Sequence, residues 1–183
     1  MNYIVFDLEA TCWENDKSKV SEIIEIGAVK LNERLEIIDE FSSFVKSSIN
    51  STLSEFCTKL TTITQKDVDL AKPFHEVMSE FERWISSEDD RVLLCSWGFY
   101  DKKQIINECL IKKYSGSILT LLKNHINLKH QFAEIKRIKP CGMEKALNIL
   151  KLSLEGTHHR GIDDAKNIAK IFKVVFNELK ICI

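Results

Sequence analysis

The period of the apolar positions changes along the chain, and each change marks an element. NYIVFDL (residues 2–8) is a short apolar run rich in β-branched and aromatic residues, the composition of a strand. EIIEIGAVKLN and LEIIDEFSSFVK read as two more strands, with NER between them as a hairpin turn, so residues 2–46 predict a three-stranded meander. The stretch from Ser47 to Pro73 is irregular with short helical turns, and Thr64 before QKD has the character of an N-cap. Phe74, Val77, Met78, Phe81, Trp84 and Ile85 then recur at helical spacing, with Pro73 near the first position.

RVLLCSW (91–97) predicts a buried strand and YDKKQIINECLIKK (100–113) a helix. SILTLLKN and MEKALNIL predict helices, with the segment between them unassigned, and GIDDAKNIAKIFKVVFNELK (161–180) predicts a final amphipathic helix. Strands first, then strand and helices in alternation, place the chain in the α/β class, a mixed sheet flanked by helices.

At 183 residues, 44% hydrophobic and 29% charged, the chain is expected to form one domain, residues 1–183, with a sizeable core. That composition excludes a disordered chain, and two Pro and six Gly exclude a collagenous one. No apolar run is long enough for a membrane span, and the acids at Asp7 and Glu9 argue against a secretory signal. Cys12, Cys57, Cys95, Cys109, Cys141 and Cys182 are widely spaced without a CxxC pair. They read as reduced, mostly buried thiols of a cytoplasmic protein rather than a disulfide framework or a zinc site.

The net charge of −1 conceals an asymmetry: −9 over residues 1–110, +6 over 111–150 and +2 over 151–183. The first part repels a polyanion unless cations intervene. The basic segment, with Lys112, Lys113, Lys136 and Arg137 among its charges, is either a track for phosphates or a solvated lysine face.

The candidate chemistry lies in the acids. Strand alternation puts Asp7 and Glu9 on one face, where their charges repel unless a cation neutralises them, and a hard divalent ion such as Mg²⁺ or Mn²⁺ is the natural partner. The same pair can also be a plain exposed strand end. Asp101 follows a buried strand and opens a helix, either at a sheet's carboxyl edge or as a first-turn acid. Asp163 and Asp164 open the last helix, and His158 and His159 each precede one of them by five residues, so pattern alone does not choose between the pairs. Four carboxylates and a histidine suit two divalent ions clamping a phosphodiester, with the histidine taking a proton from the attacking water.

FDLEATC (6–12), SWGFYD (96–101) and HRGIDDAKNIA (159–169) resemble, in order, the three motifs of DEDD-type 3′→5′ exonucleases. The H-x₄-D spacing resembles the DEDDh branch, and EATCWEN, EIIEIGAVKLN and INSTLSEFCTKLTTITQKDVD resemble its Eri-1/KapD-like exoribonuclease subgroup, the histone-mRNA 3′-end exonuclease-like one. The resemblance implies an RNase H-like fold, with a five-stranded mixed sheet and helices on both faces. It implies Asp7, Glu9, Asp101 and Asp164 as ligands of two divalent cations, Mg²⁺ or Mn²⁺, and His159 as general base. It further implies that the backbone of Leu8, Ala10 and Thr11 approaches the terminal nucleotide. Tyr100 is a candidate for stacking on the terminal base, with Trp97 and Phe99 behind it.

The expected activity is removal of nucleoside 5′-monophosphates from a 3′-OH end of single-stranded RNA or a 3′ overhang. A DNA exonuclease and a non-catalytic RNA- or partner-binding module are the competing readings. One departure is visible: the subgroup often has Leu-Thr-Gly-Ile where this chain has Leu60-Thr61-Thr62-Ile63.

Overall fold

The computed structural model describes residues 1–16, 18–86 and 91–181; Cys182 lies outside them. The meander forms as its apolar, β-forming runs predict, with β1 at Asn2–Ala10, β2 at Ile23–Leu31 and β3 at Ile37–Lys46, antiparallel throughout. Beyond it come α1 (Glu55–Thr61), α2 (Gln65–Asp69), β4 (Lys72–Pro73) and α3 (Phe74–Ile85). Thr64 caps α2 in a capping box with Asp67, and Pro73 is the residue before α3 rather than its first. β5 (Val92–Ser96) leads into α4 (Tyr100–Ile111) and α5 (Ile118–Leu121), then β6 (Ile126–Asn127). The unassigned segment is a helix, α6 (Leu128–Lys136), capped by Asn127. α7 (Met143–Ile149) and α8 (Gly161–Val175) complete the order, α8 giving way to a 3₁₀ turn at 176–178.

The sheet has six strands, in the order β4-β3-β2-β1-β5-β6, not the five expected. The two outermost strands are two-residue pairings, parallel to the ends of β3 and β5. Segments that short carry no alternation, so they leave no signal in the sequence.

Strand alternation divides the main core between the two faces of the sheet, and a smaller cluster of Ile24, Cys57, Ile63 and Val68 lies with α1 and α2. Tyr3, Val5, Val29, Leu31, Leu93 and Cys95 face α6, α7 and α8, packing on Phe132, Leu147, Ile168 and Phe172. Ile4, Phe6, Leu8, Ile26, Ala28 and Leu94 face α3, α4 and α5, packing on Phe74, Phe81, Ile105 and Ile118. Helices therefore cover both faces, and each fully buried large side chain contributes about 1.5–3 kcal/mol. Asp7 and Glu9 continue the odd-numbered series of β1, so both stand on the face covered by α8.

No helix among the described residues is long and apolar enough to cross a membrane. Cys12, Cys57, Cys95, Cys109 and Cys141 are free thiols.

Candidate active site

The start of α8 sits directly on the strands that carry the acids. Glu25 is opposite Glu9 and Gly27 opposite Asp7 in the β1–β2 register. The Glu25 carboxylate accepts two bonds from the Arg160 guanidinium, at 3.2 Å from Nε and 3.0 Å from Nη2, and a third from the Gly161 amide at 2.9 Å. These bonds and the bare backbone of Gly27 fix where α8 begins, and Asp164 then lies in its first turn, buried, above β1.

One carboxylate oxygen each from Asp7, Glu9 and Asp164 falls within 4.8 Å of the others. Asp101 joins them from the β5–α4 junction. It is buried, with the Ser96 side chain and the backbone of Leu8 and Asp101 beside it favouring its ionised form. Burial and mutual repulsion raise the acids. Glu9 is pushed up to about 8, first by burial and then by Asp164, Glu25 and Asp101. Burial pushes Asp101 to about 6 against its hydrogen bonds, and Asp7 is raised well above the carboxylate range by burial and then Asp101 and Glu9. Asp164 is raised by burial, opposed by His158.

The two histidines divide their contacts with Asp164. His158 Nδ1 lies 3.0 and 3.1 Å from its two carboxylate oxygens, whereas His159 reaches it through the backbone amide at 3.0 Å. His159 has a left-handed backbone, φ 63°, and its ring stacks on that of His158 at 3.9 Å between centroids. Burial, and then the neighbouring His158, lower the affinity of the His159 ring for a proton. Asp163 is turned to a different task. Its carboxylate accepts from the Thr157 amide at 2.8 Å and closes the loop at Gly156, where φ is 71°. Asn167 ties the same loop down by exchanging two hydrogen bonds with the Glu155 backbone.

Asp7, Glu9, Asp101, His158, His159 and Asp164 line one cleft of about 330 Å³ with Leu8, Trp97, Tyr100, Gly142, Met143 and Ile168. The donor set consists of hard carboxylate oxygens, crowded and partly dehydrated, and it fits a divalent cation of the Mg²⁺ or Mn²⁺ type.

Residues 4–172 match the sequence profile of the family described as Exonuclease. The chain belongs to the exonuclease family. Membership implies dependence on a divalent cation, in keeping with the oxygen donors just described. Among this exonuclease-family chain's relatives, ERI1 exoribonuclease 2 of Danio rerio is 35% identical over 188 residues, covering 91% of the chain and 33% of the relative. The 3′-5′ exoribonuclease 1 of Rattus norvegicus is 32% identical over 176 residues, covering 91% and 50%. The chain thus spans about one third of the length of the first of these relatives and half of the second. Among solved structures, the nuclease domain of 3′hExo, a DEDDh family member bound to rAMP, superposes with a TM-score of 0.92 at 31% identity, over 100% of this chain and 96% of that one.

The structure brings Asp7, Glu9, Asp101, His159 and Asp164 to one cleft, together with Leu8, Trp97 and Tyr100. Ala10 and Thr11 stand outside its lining. Both are buried, and Thr11 pairs with Glu22 through its amide and hydroxyl. Trp97 serves the core as well, donating to the Cys141 carbonyl at 3.1 Å and packing on Phe132. Sequence reasoning missed Gly142 and Met143, which α7 brings in from afar, and Ile168, which its position one turn after Asp164 would have found.

Nor is the basic segment one surface. The Lys112 side chain is 10% exposed, and its ammonium lies 2.7 Å from Glu108 and 3.1 Å from Glu22. It serves an internal ion cluster and is withdrawn from any phosphate track.

Proposed function

We propose that this chain is a 3′→5′ exoribonuclease domain that removes nucleoside 5′-monophosphates from the 3′-OH end of single-stranded RNA or a 3′ overhang, residues 1–183 forming one catalytic unit. The carrying observation is the convergence of Asp7, Glu9, Asp101 and Asp164 with His159 in one cleft. The preference for RNA draws support from the relatives named as exoribonucleases and from the rAMP bound to 3′hExo.

In this reading the four carboxylates hold two divalent cations, Mg²⁺ or Mn²⁺. When bound, these supply charge neutralisation for the phosphodiester and acidify the attacking water. Asp7 would serve both ions, the role the family resemblance implies, and Glu9, Asp101 and Asp164 would complete the set. His159, whose affinity for a proton is lowered by burial, would accept the proton from the attacking water. Leu8 backs the terminal nucleotide, and Tyr100, 56% exposed at the cleft mouth, offers its ring to the terminal base with Trp97 deeper in.

The test is a 5′-labelled single-stranded RNA incubated with the protein and Mg²⁺ or Mn²⁺, beside Asp7→Asn and an EDTA control. A ladder shortening from the 3′ end and lost in both controls is expected. A matched DNA oligonucleotide degraded faster than the RNA would move the assignment to a DNA exonuclease. Absence of shortening by folded protein would move it to a binding module.

A further inference from the structure

Beside the cleft, and outside its lining, lies a second cluster built on the β5–α4 junction and the start of α6. Phe99 is 45% exposed, although it immediately precedes Tyr100. Its ring stands edge-on to that of His130, with centroids 5.7 Å apart and planes at 70°. His130 is held by two bonds to one side chain. Asn127 Oδ1 accepts from the His130 amide at 3.1 Å, and Asn127 Nδ2 lies 3.1 Å from His130 Nδ1. An amide nitrogen can only donate, so Nδ1 accepts, and the ring proton sits on Nε2 at the exposed end. The Lys129 stem lies along Gly98, its Cδ 3.6 Å from where a Cβ would stand. Neither Lys129 nor His130 is in an ion pair among the described residues.

We propose that Phe99, His130 and Lys129 form a binding site for a nucleotide upstream of the terminal one. It rests on the reading of the cleft as the phosphodiester site. The Phe99 ring supplies a face for a base, and His130 Nε2–H and the Lys129 ammonium supply donors for the adjoining phosphate. The acidic cleft repels every phosphate except the one its cations neutralise, so the strand needs donors at the rim, and this cluster provides them next to Tyr100.

The test compares wild type with Phe99→Ala, Phe99→Trp, His130→Ala and Lys129→Ala. One arm measures anisotropy of a labelled single-stranded RNA of about ten nucleotides in Ca²⁺, long enough to pass the cleft. The other measures hydrolysis of that RNA and of the p-nitrophenyl ester of thymidine 5′-monophosphate, which has no upstream nucleotide. Phe99→Ala and His130→Ala should raise Kd and KM for the RNA about fivefold or more, with kcat held and the ester unaffected. Phe99→Trp should retain binding, and Lys129→Ala should lower the salt slope by about 0.7. RNA binding unchanged in Phe99→Ala and His130→Ala overturns the site, as does equal loss on both substrates. If wild type hydrolyses neither substrate while Phe99→Ala still weakens RNA binding, the exonuclease reading fails, and with it the upstream assignment, although the cluster itself binds RNA.

Discussion

A Cβ placed on Gly27 would stand 2.0 Å from the carbonyl carbon of Gly161, and one placed on Gly161 would stand 3.0 Å from the Gly27 nitrogen. The first turn of α8 therefore rests on the backbone of β2, with no side chain between them. This contact sets the height of Asp164 above Asp7. Gly27→Ala pushes backbone against backbone, which no rotamer change relieves, and should cost about 3 kcal/mol or more. Thermal unfolding should show the midpoint lowered by about 6–12 °C. Gly142→Ala, where nothing lies within 4 Å, should be near neutral and serves as the control.

The raised acids fix how stability changes with pH. Glu9, at about 8 in the folded protein against 4.5 ordinarily, binds its proton more tightly folded than unfolded. Its protonation contributes stability that is full below 4.5 and is lost as pH rises through about 8. Asp7, Asp101 and Asp164 shift in the same direction. In EDTA the melting temperature should fall between pH 5.5 and 8.5, and Mn²⁺ should restore it most at the alkaline end. A melting temperature in EDTA that rises over this range would contradict the crowding of these carboxylates.

Thr62 ends α1 with φ 62° and ψ 2°, the left-handed conformation that glycine adopts without a Cβ clash. Here is the reason for a glycine in the resembling motif, and this chain meets the same backbone with a β-branched residue. Thr62→Gly should stabilise by about 0.5–1 kcal/mol, the relief of strain exceeding the added chain entropy. Urea unfolding should show a higher midpoint at unchanged slope.

Lys112 neutralises Glu22, whose carboxylate also accepts from the amides of Ser48, Ile49 and Asn50, and Glu108, which accepts from the Ile23 amide. Lys112→Met leaves buried carboxylates without their cation and should cost about 3 kcal/mol. RNA affinity of the folded variant and its salt slope should not change, as read by anisotropy.

The two histidines are separable by kinetics. His159→Ala should lower kcat about 10²- to 10⁴-fold at saturating metal, the loss of a general base. His158→Ala removes a side-chain contact to Asp164 and should act mainly through the metal concentration needed for half-maximal rate. If His158→Ala instead carried the loss in kcat, the roles would exchange.

What the sequence determined by itself was whatever has a local period or a local motif. The meander was legible because its runs are rich in β-branched and aromatic residues, and strand alternation put Asp7 and Glu9 together. α3 was legible from Phe74 to Ile85 through its apolar stripe, and the capping of α2 through Thr64 and Asp67. The five acid and histidine positions were legible as three short motifs. α6 was not, because Leu128, Phe132 and Ala133 are too few among polar neighbours to impose a period. The tertiary structure alone decided that β4 and β6 extend the sheet, since a two-residue pairing is created by its neighbour. It gave Asp163 a task apart from that of Asp164, its neighbour on one helix turn: Asp163 latches the Gly156 loop while Asp164 faces the cleft. It alone withdrew Lys112 from the surface and Thr11 from the cleft, and brought Met143 in. Each of these depends on which distant backbone a side chain meets, and proximity between distant segments is fixed by packing rather than by any feature of the segments themselves.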